Sequence, residues 1–156
     1  MIYLTGDTHA SFSKRFNNEN FPEQRKMTKD DYVIICGDFG GIWDEKEESK
    51  NEKYWLNWFE ERNFTLLFVD GNHENYDRLY AYPIKEWHGG KVHEIRPSVL
   101  HLMRGQVFEI DGKSIFTFGE QAVMISQVVF WIGRILITRR RRKGWIGNIY
   151  PIESII

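Results

Sequence analysis

The sequence predicts an α/β fold built on a parallel sheet with helices on its faces. Three observations carry this. Apolar runs at Ile2–Thr5, Tyr32–Cys36 and Thr65–Val69 alternate with polar or amphipathic stretches, which is the order strand, helix, strand, helix, strand. Each run reads apolar almost throughout, as strands buried on both faces do. Each also ends in a loop signal: Gly6-Asp7, Gly37-Asp38 and Asp70-Gly71. The chain has 156 residues, 42% hydrophobic and 28% charged, enough for the core of one domain. This composition excludes a disordered tail, a collagen-like fibre and a disulfide scaffold. The single cysteine, Cys36, has no partner within the chain, and the start at Met1 shows no basic, apolar leader. Both point to a cytoplasmic protein.

The elements follow in order. Residues 10–30 are polar, with Pro22 and several Asn, and read as loop plus a short helix. Residues 46–62 read as a helix, with Tyr54, Trp55, Trp58, Phe59 and Arg62 forming one stripe beside an acidic face. After residue 84 the pattern becomes short strands with turns. Lys91–Ile95, Val99–Met103, Gln106–Ile110 and Ser114–Phe118 are the candidates, and Asp111-Gly112 signals a hairpin.

The three best strands all lead into loops bearing metal-capable side chains. The first supplies Asp7 and His9, the second Asp38, and the third Asn72 and His73. In a parallel α/β sheet the loops at the strand C-terminal ends share one crevice. Oxygen and imidazole donors together suit Mn, Fe, Zn or Ni. Two such ions, roughly 3.5–4 Å apart, clamp a phosphate and generate a hydroxide nucleophile. Taken singly, Asp7 and Asp38 also fit helix caps or turns, and His9 and His73 exposed loop histidines.

Gly6-Asp7-Thr8-His9, Gly37-Asp38-Phe39-Gly40-Gly41 and Gly71-Asn72-His73-Glu74 together resemble the calcineurin-like metallophosphoesterase family. The resemblance covers residues 1 to about 119. It implies a four-layer α/β/β/α sandwich, whose second sheet the later strands would build. It implies Asp7 and His9 as ligands of one metal, Asp38 as the bridge, Asn72 as a ligand of the second, and His73 as the catalytic residue at the phosphate or leaving group. Glu74 reads as a carboxylate that supports these loops or opens a helix.

The sequence departs from the family twice. Asp38-Phe39-Gly40-Gly41-Ile42-Trp43 lacks the Arg of the protein serine/threonine phosphatases. No histidine follows His101, whereas the family places a further His and a Gly-His-x-His motif downstream. The second metal site is therefore expected to be incomplete. His88, beside Gly89-Gly90, reads as a turn residue, and His93 and His101 as sheet histidines.

Charge divides the chain. Residues 1–121 hold 15 basic and 21 acidic residues, and residues 122–156 six basic and one acidic. Residues 1–119 are assigned to the N-terminal part of the phosphoesterase domain and 120–156 to an atypical basic, apolar tail. One reading makes residues 122–138 a membrane anchor followed by Arg139–Lys143, with Arg134 an expensive interior charge. The favoured reading is out-of-frame translation. Taken from the third codon base, Met124-Ile125 and Trp131-Ile132 each give Asp and Phe130-Trp131 gives Leu. The unforced positions permit a Gly-Ala-Ser-Ser-His-Asp run after Phe118. Sequencing the gene across codons 118–124 tests this, and an early stop without a histidine motif defeats it.

The function expected is hydrolysis of a phosphate mono- or diester by metal-bound hydroxide, with a small phosphoester or nucleotide as substrate and activity impaired in this chain. A nucleic-acid partner has only the basic tail run in its favour, and a membrane partner is not expected. The alternative is a non-catalytic fragment or weak metal-binding module, or a protein anchored by its tail.

Overall fold

The structure, a computed structural model, describes residues 1–118, 122–125, 128–131 and 149–154. Among the described residues the strands are β1 (Ile2–Thr5), β2 (Tyr32–Cys36), β3 (Thr65–Val69), β4 (Ile84–Trp87), β5 (Gly90–Arg96), β6 (Val99–Leu102), β7 (Gln106–Ile110), β8 (Lys113–Thr117), β9 (Ala122–Ile125), β10 (Val128–Trp131) and β11 (Tyr150–Pro151). The α-helices are α1 (Phe12–Arg15), α2 (Lys50–Glu60) and α3 (Tyr76–Tyr80).

Seven strands form one sheet in the order β11-β1-β2-β3-β6-β5-β4. β1, β2, β3 and β6 run parallel, and β11, β5 and β4 add antiparallel edges. A second, antiparallel sheet has the order β10-β9-β8-β7. The α/β expectation holds, with one correction. β5 and β6 extend the first sheet, and the strands between Gln106 and Trp131 build the second. The reason is burial: every residue of β6 is buried, and it pairs in parallel with β3 as another central strand.

The alternating faces of the first sheet feed two cores. Ile34, Leu67, Val69 and Leu100 meet Phe108, Ile110 and Ile115 of the second sheet. Val33, Ile35, Leu66 and Phe68 meet Phe12, Leu56, Phe59 and Leu79 of the helices. Three of the four expected layers (α, β, β) are thus present among the described residues.

The predicted helix 46–62 is shorter, because Ser49 caps it. Its hydroxyl accepts from Glu52 N at 3.2 Å, and Glu52 reaches back to Ser49 N. Of the predicted stripe, Phe59 is fully buried and Trp55 and Trp58 pack partly against the core, but Tyr54 is exposed, and Glu52 and Leu56 are the other buried residues. The hairpin at Asp111-Gly112 is present, both residues having positive φ. α3 and β4 were not legible in advance. β4 is exposed along most of its length and lacks an apolar run.

Parts of the tail join both sheets. β9 pairs with β8, β11 pairs with β1, and Ile152 is fully buried in the inter-sheet core. Within the anchor range 122–138, Ala122–Ile125 and Val128–Trp131 are strands. Residues 132–138, Gly119, Arg134 and Arg139–Lys143 lie outside the described residues. No helix among the described residues is long and apolar enough to cross a membrane.

Candidate metal centre

The loops after β1, β2 and β3 meet at the strand C-terminal ends, as α/β topology dictates. The first two are laced together by backbone hydrogen bonds. Thr8 N and His9 N donate to Asp38 O at 2.8 and 3.0 Å, and Ala10 N donates to Phe39 O at 3.2 Å. The Thr8 hydroxyl adds a bond to Phe39 O at 2.7 Å. His9 and Ala10 both take positive φ, which turns the His9 ring outward at the rim. Gly40 closes against this turn, where a Cβ would lie 2.7 Å from Ala10 N.

Asp38 is the buried centre of the arrangement. Its N–H donates to Asp7 Oδ1 at 3.1 Å, and its own Oδ1 accepts from His73 N at 2.9 Å. Its Oδ2 faces His9 Nδ1 at 3.5 Å. A side chain on Gly71 would collide with the Asp38 carboxylate, so only glycine lets the third loop approach this closely. One ligand atom each from Asp7, His9 and Asp38 lies within 4.8 Å of the others. Two carboxylates and an imidazole converging this tightly are a donor set that a divalent transition ion fits. The structure thus brings Asp7, His9 and Asp38 together. His73 stands beside them, its ring centroid 5.7 Å from that of His9. Asn72 is exposed on the same loop, between Gly71 and His73.

Two supports lie beneath the loops. Glu74 is buried, and its Oε1 accepts from Phe39 N at 2.6 Å and Gly40 N at 3.2 Å. Burial pushes its carboxyl up to about 8, against the pull of those two N–H groups, and the Asp38 and Asp70 charges add to the rise. The expected supporting role for Glu74 is what these bonds describe. Asp70, fully buried, holds His101 Nε2 at 2.9 Å and also the Arg104 guanidinium. Burial alone would raise the Asp70 carboxyl, but these hydrogen bonds hold it below the ordinary range. His101 in turn pairs with His93, Nδ1 to Nδ1 at 2.9 Å, with the rings stacked at 4°. Burial and the neighbouring His101 lower the His93 imidazole. His93 and His101 are therefore committed to the sheet, as read from the sequence. His88 occupies the β4–β5 turn with positive φ.

Beside the three loops opens a cleft of about 390 Å³, lined among others by His9, His73, Trp43 and Asn51. Sequence reasoning passed over Trp43. The signal was there, as an aromatic directly after Gly40-Gly41-Ile42 in a loop otherwise rich in charge. Its indole lies nearly parallel to the His73 ring, 26° between planes and 5.8 Å between centroids.

Comparison with curated proteins and with solved structures gives no match. The family model of calcineurin-like phosphoesterases matches residues 1–143, a span that includes all three loops. A match over most of the chain, converging on loops that already gather carboxylate and imidazole donors, is decisive. The chain belongs to the calcineurin-like phosphoesterase family.

Proposed function

We propose that the three-loop centre hydrolyses a phosphate mono- or diester, with Asp7, His9, Asp38 and Asn72 as metal ligands and His73 as the catalytic residue. The observation that carries this reading is the convergence of Asp7, His9 and Asp38 within 4.8 Å. Divalent ions held there would supply positive charge for the phosphoryl oxygens and acidify the attacking water. The protein's part is to fix the donors. Asp38 is buried and tied to both neighbouring loops, so its carboxylate is positioned before any ion arrives. His73 is exposed and lines the cleft beside these donors, and its proposed role is to deliver a proton to the leaving-group oxygen. Residues 1–119 are proposed as the catalytic portion, in a cytoplasmic setting, and residues 120–156 as the product of a shifted reading frame.

A second reading, a metal-binding module with little turnover, rests on one observation. No histidine follows His101, and His93 and His101 are already bonded to each other and to Asp70. Calorimetric titration with Mn²⁺ tests the metal site. At least one ion should bind, and Asp38→Ala should remove binding. Absence of binding by the native chain would overturn the site reading. Hydrolysis of an aryl phosphate with added manganese then separates the two readings: slow, manganese-dependent turnover that Asp38→Ala abolishes is expected of an impaired hydrolase, and no turnover would leave only the module. Robust turnover would show that the downstream histidines are dispensable and refute the module.

A further inference from the structure

We infer that Trp43 is a stacking platform that selects phosphoesters whose alcohol carries a flat heteroaromatic group, as in a nucleoside monophosphate. The inference rests on the phosphoester reading of the adjoining centre and names its substrate class. Trp43 is 56% exposed, yet it lines a concave cleft together with His9 and His73. A large aromatic ring left open inside a cleft, next to a charged centre, is the arrangement that holds the apolar end of a polar ligand.

The platform is held by its backbone, and one contact of its ring is the stack on His73. Trp43 N and Asp44 N both donate to Glu52 Oε1. Glu52 is buried and paired with Arg78 at 2.8 Å. Arg78 and Asn75 also donate to Asp44 O, at 2.9 and 2.7 Å. Ile42, immediately before, is fully buried in the helix-side core. An indole fixed in this way loses little freedom when a ring stacks on it. The lining also includes Asn51, whose side-chain amide offers both donors and an acceptor, as base edges require. The lining thus combines His9, from the metal-capable centre, with the aromatic Trp43.

The test titrates the full chain, native and with Trp43→Ala or Trp43→Phe, with Mn²⁺, adenosine 5′-monophosphate, ribose 5-phosphate and adenosine. With Mn²⁺ present, the nucleotide should bind about 5- to 150-fold more tightly than ribose 5-phosphate. Trp43→Ala should remove that preference, weakening the nucleotide at least about 5-fold more than ribose 5-phosphate, while Trp43→Phe keeps part of it. Because the indole's own packing is largely open, both variants should melt like the native protein. Equal binding of the two phosphates by the native chain, or equal weakening of both by Trp43→Ala, would overturn the platform. If Mn²⁺ and ribose 5-phosphate fail to bind while adenosine still distinguishes native from Trp43→Ala, the platform stands and the metal-site reading falls.

Discussion

Glu74 shows how a single carboxyl can make the site's architecture depend on pH. One of its oxygens holds two backbone N–H groups, while Oε2 has no partner among the described residues. With its carboxyl raised to about 8 by burial, the folded protein binds a proton that the unfolded chain, near 4.5, has released. This contribution is favourable at low pH and is lost as pH rises from about 4.5 to about 8. In chelator, native stability relative to Glu74→Gln should therefore fall across that window by about a few kcal/mol, each tenfold in proton affinity being worth about 1.4 kcal/mol. Denaturant midpoints at pH 5 and pH 8.5 measure it, and parallel profiles for the two proteins would refute it. Working against it in the native profile, Asp70 and His93 have lowered values, so each loses stability as pH falls. The comparison with Glu74→Gln cancels those two groups.

At the scale of the element, α2 links the cap of a helix to the wall of a cleft. Glu52 completes the capping box, pairs with Arg78 and anchors the Trp43 backbone. Glu52→Ala leaves a nearly buried guanidinium without its partner and should cost about 3–5 kcal/mol. Chemical denaturation reads the loss, and a change below about 1 kcal/mol would show the pair to be dispensable. The helix was legible in the sequence, but its ends and part of its buried stripe were not. Periodicity at residues 54, 55, 58 and 59 located an apolar side without separating Leu56 from Tyr54. Which residue is covered depends on where the first sheet lies, and that is a long-range fact. In the strands the opposite holds. β1, β2 and β3 fall where the apolar runs place them, because a strand buried on both faces admits no polar interruption.

For the whole molecule, the informative segment is the last one described. β11 covers the edge of β1, and Ile152 fills the inter-sheet core beside Ile2 and Leu4. An uncovered edge next to the site would invite pairing between chains. Ile152→Ala should destabilise the protein by about 2–5 kcal/mol, whereas a tail that does not pack on the domain would leave its melting temperature unchanged. Differential scanning calorimetry distinguishes the two. The charge asymmetry that marked residues 122–156 as foreign is a statement about composition, and composition does not say which apolar residues find a partner. The candidate site divides in a similar way. Asp7, His9, Asp38, Asn72 and His73 were legible because each follows a strand end that local pattern locates, and parallel topology brings such ends together. Trp43, the Glu52–Arg78 clasp and the Asp70–His101–His93 chain were not, because nothing local marks residues 26 or 31 positions apart as partners. The sequence by itself determined β1, β2 and β3 and the donor side chains that their loops carry, since burial and turn formation act through neighbours. The tertiary structure alone decided which sheet β5 and β6 join, what supports the loops from below and what walls the cleft, because those outcomes depend on side chains that meet only after the chain has folded.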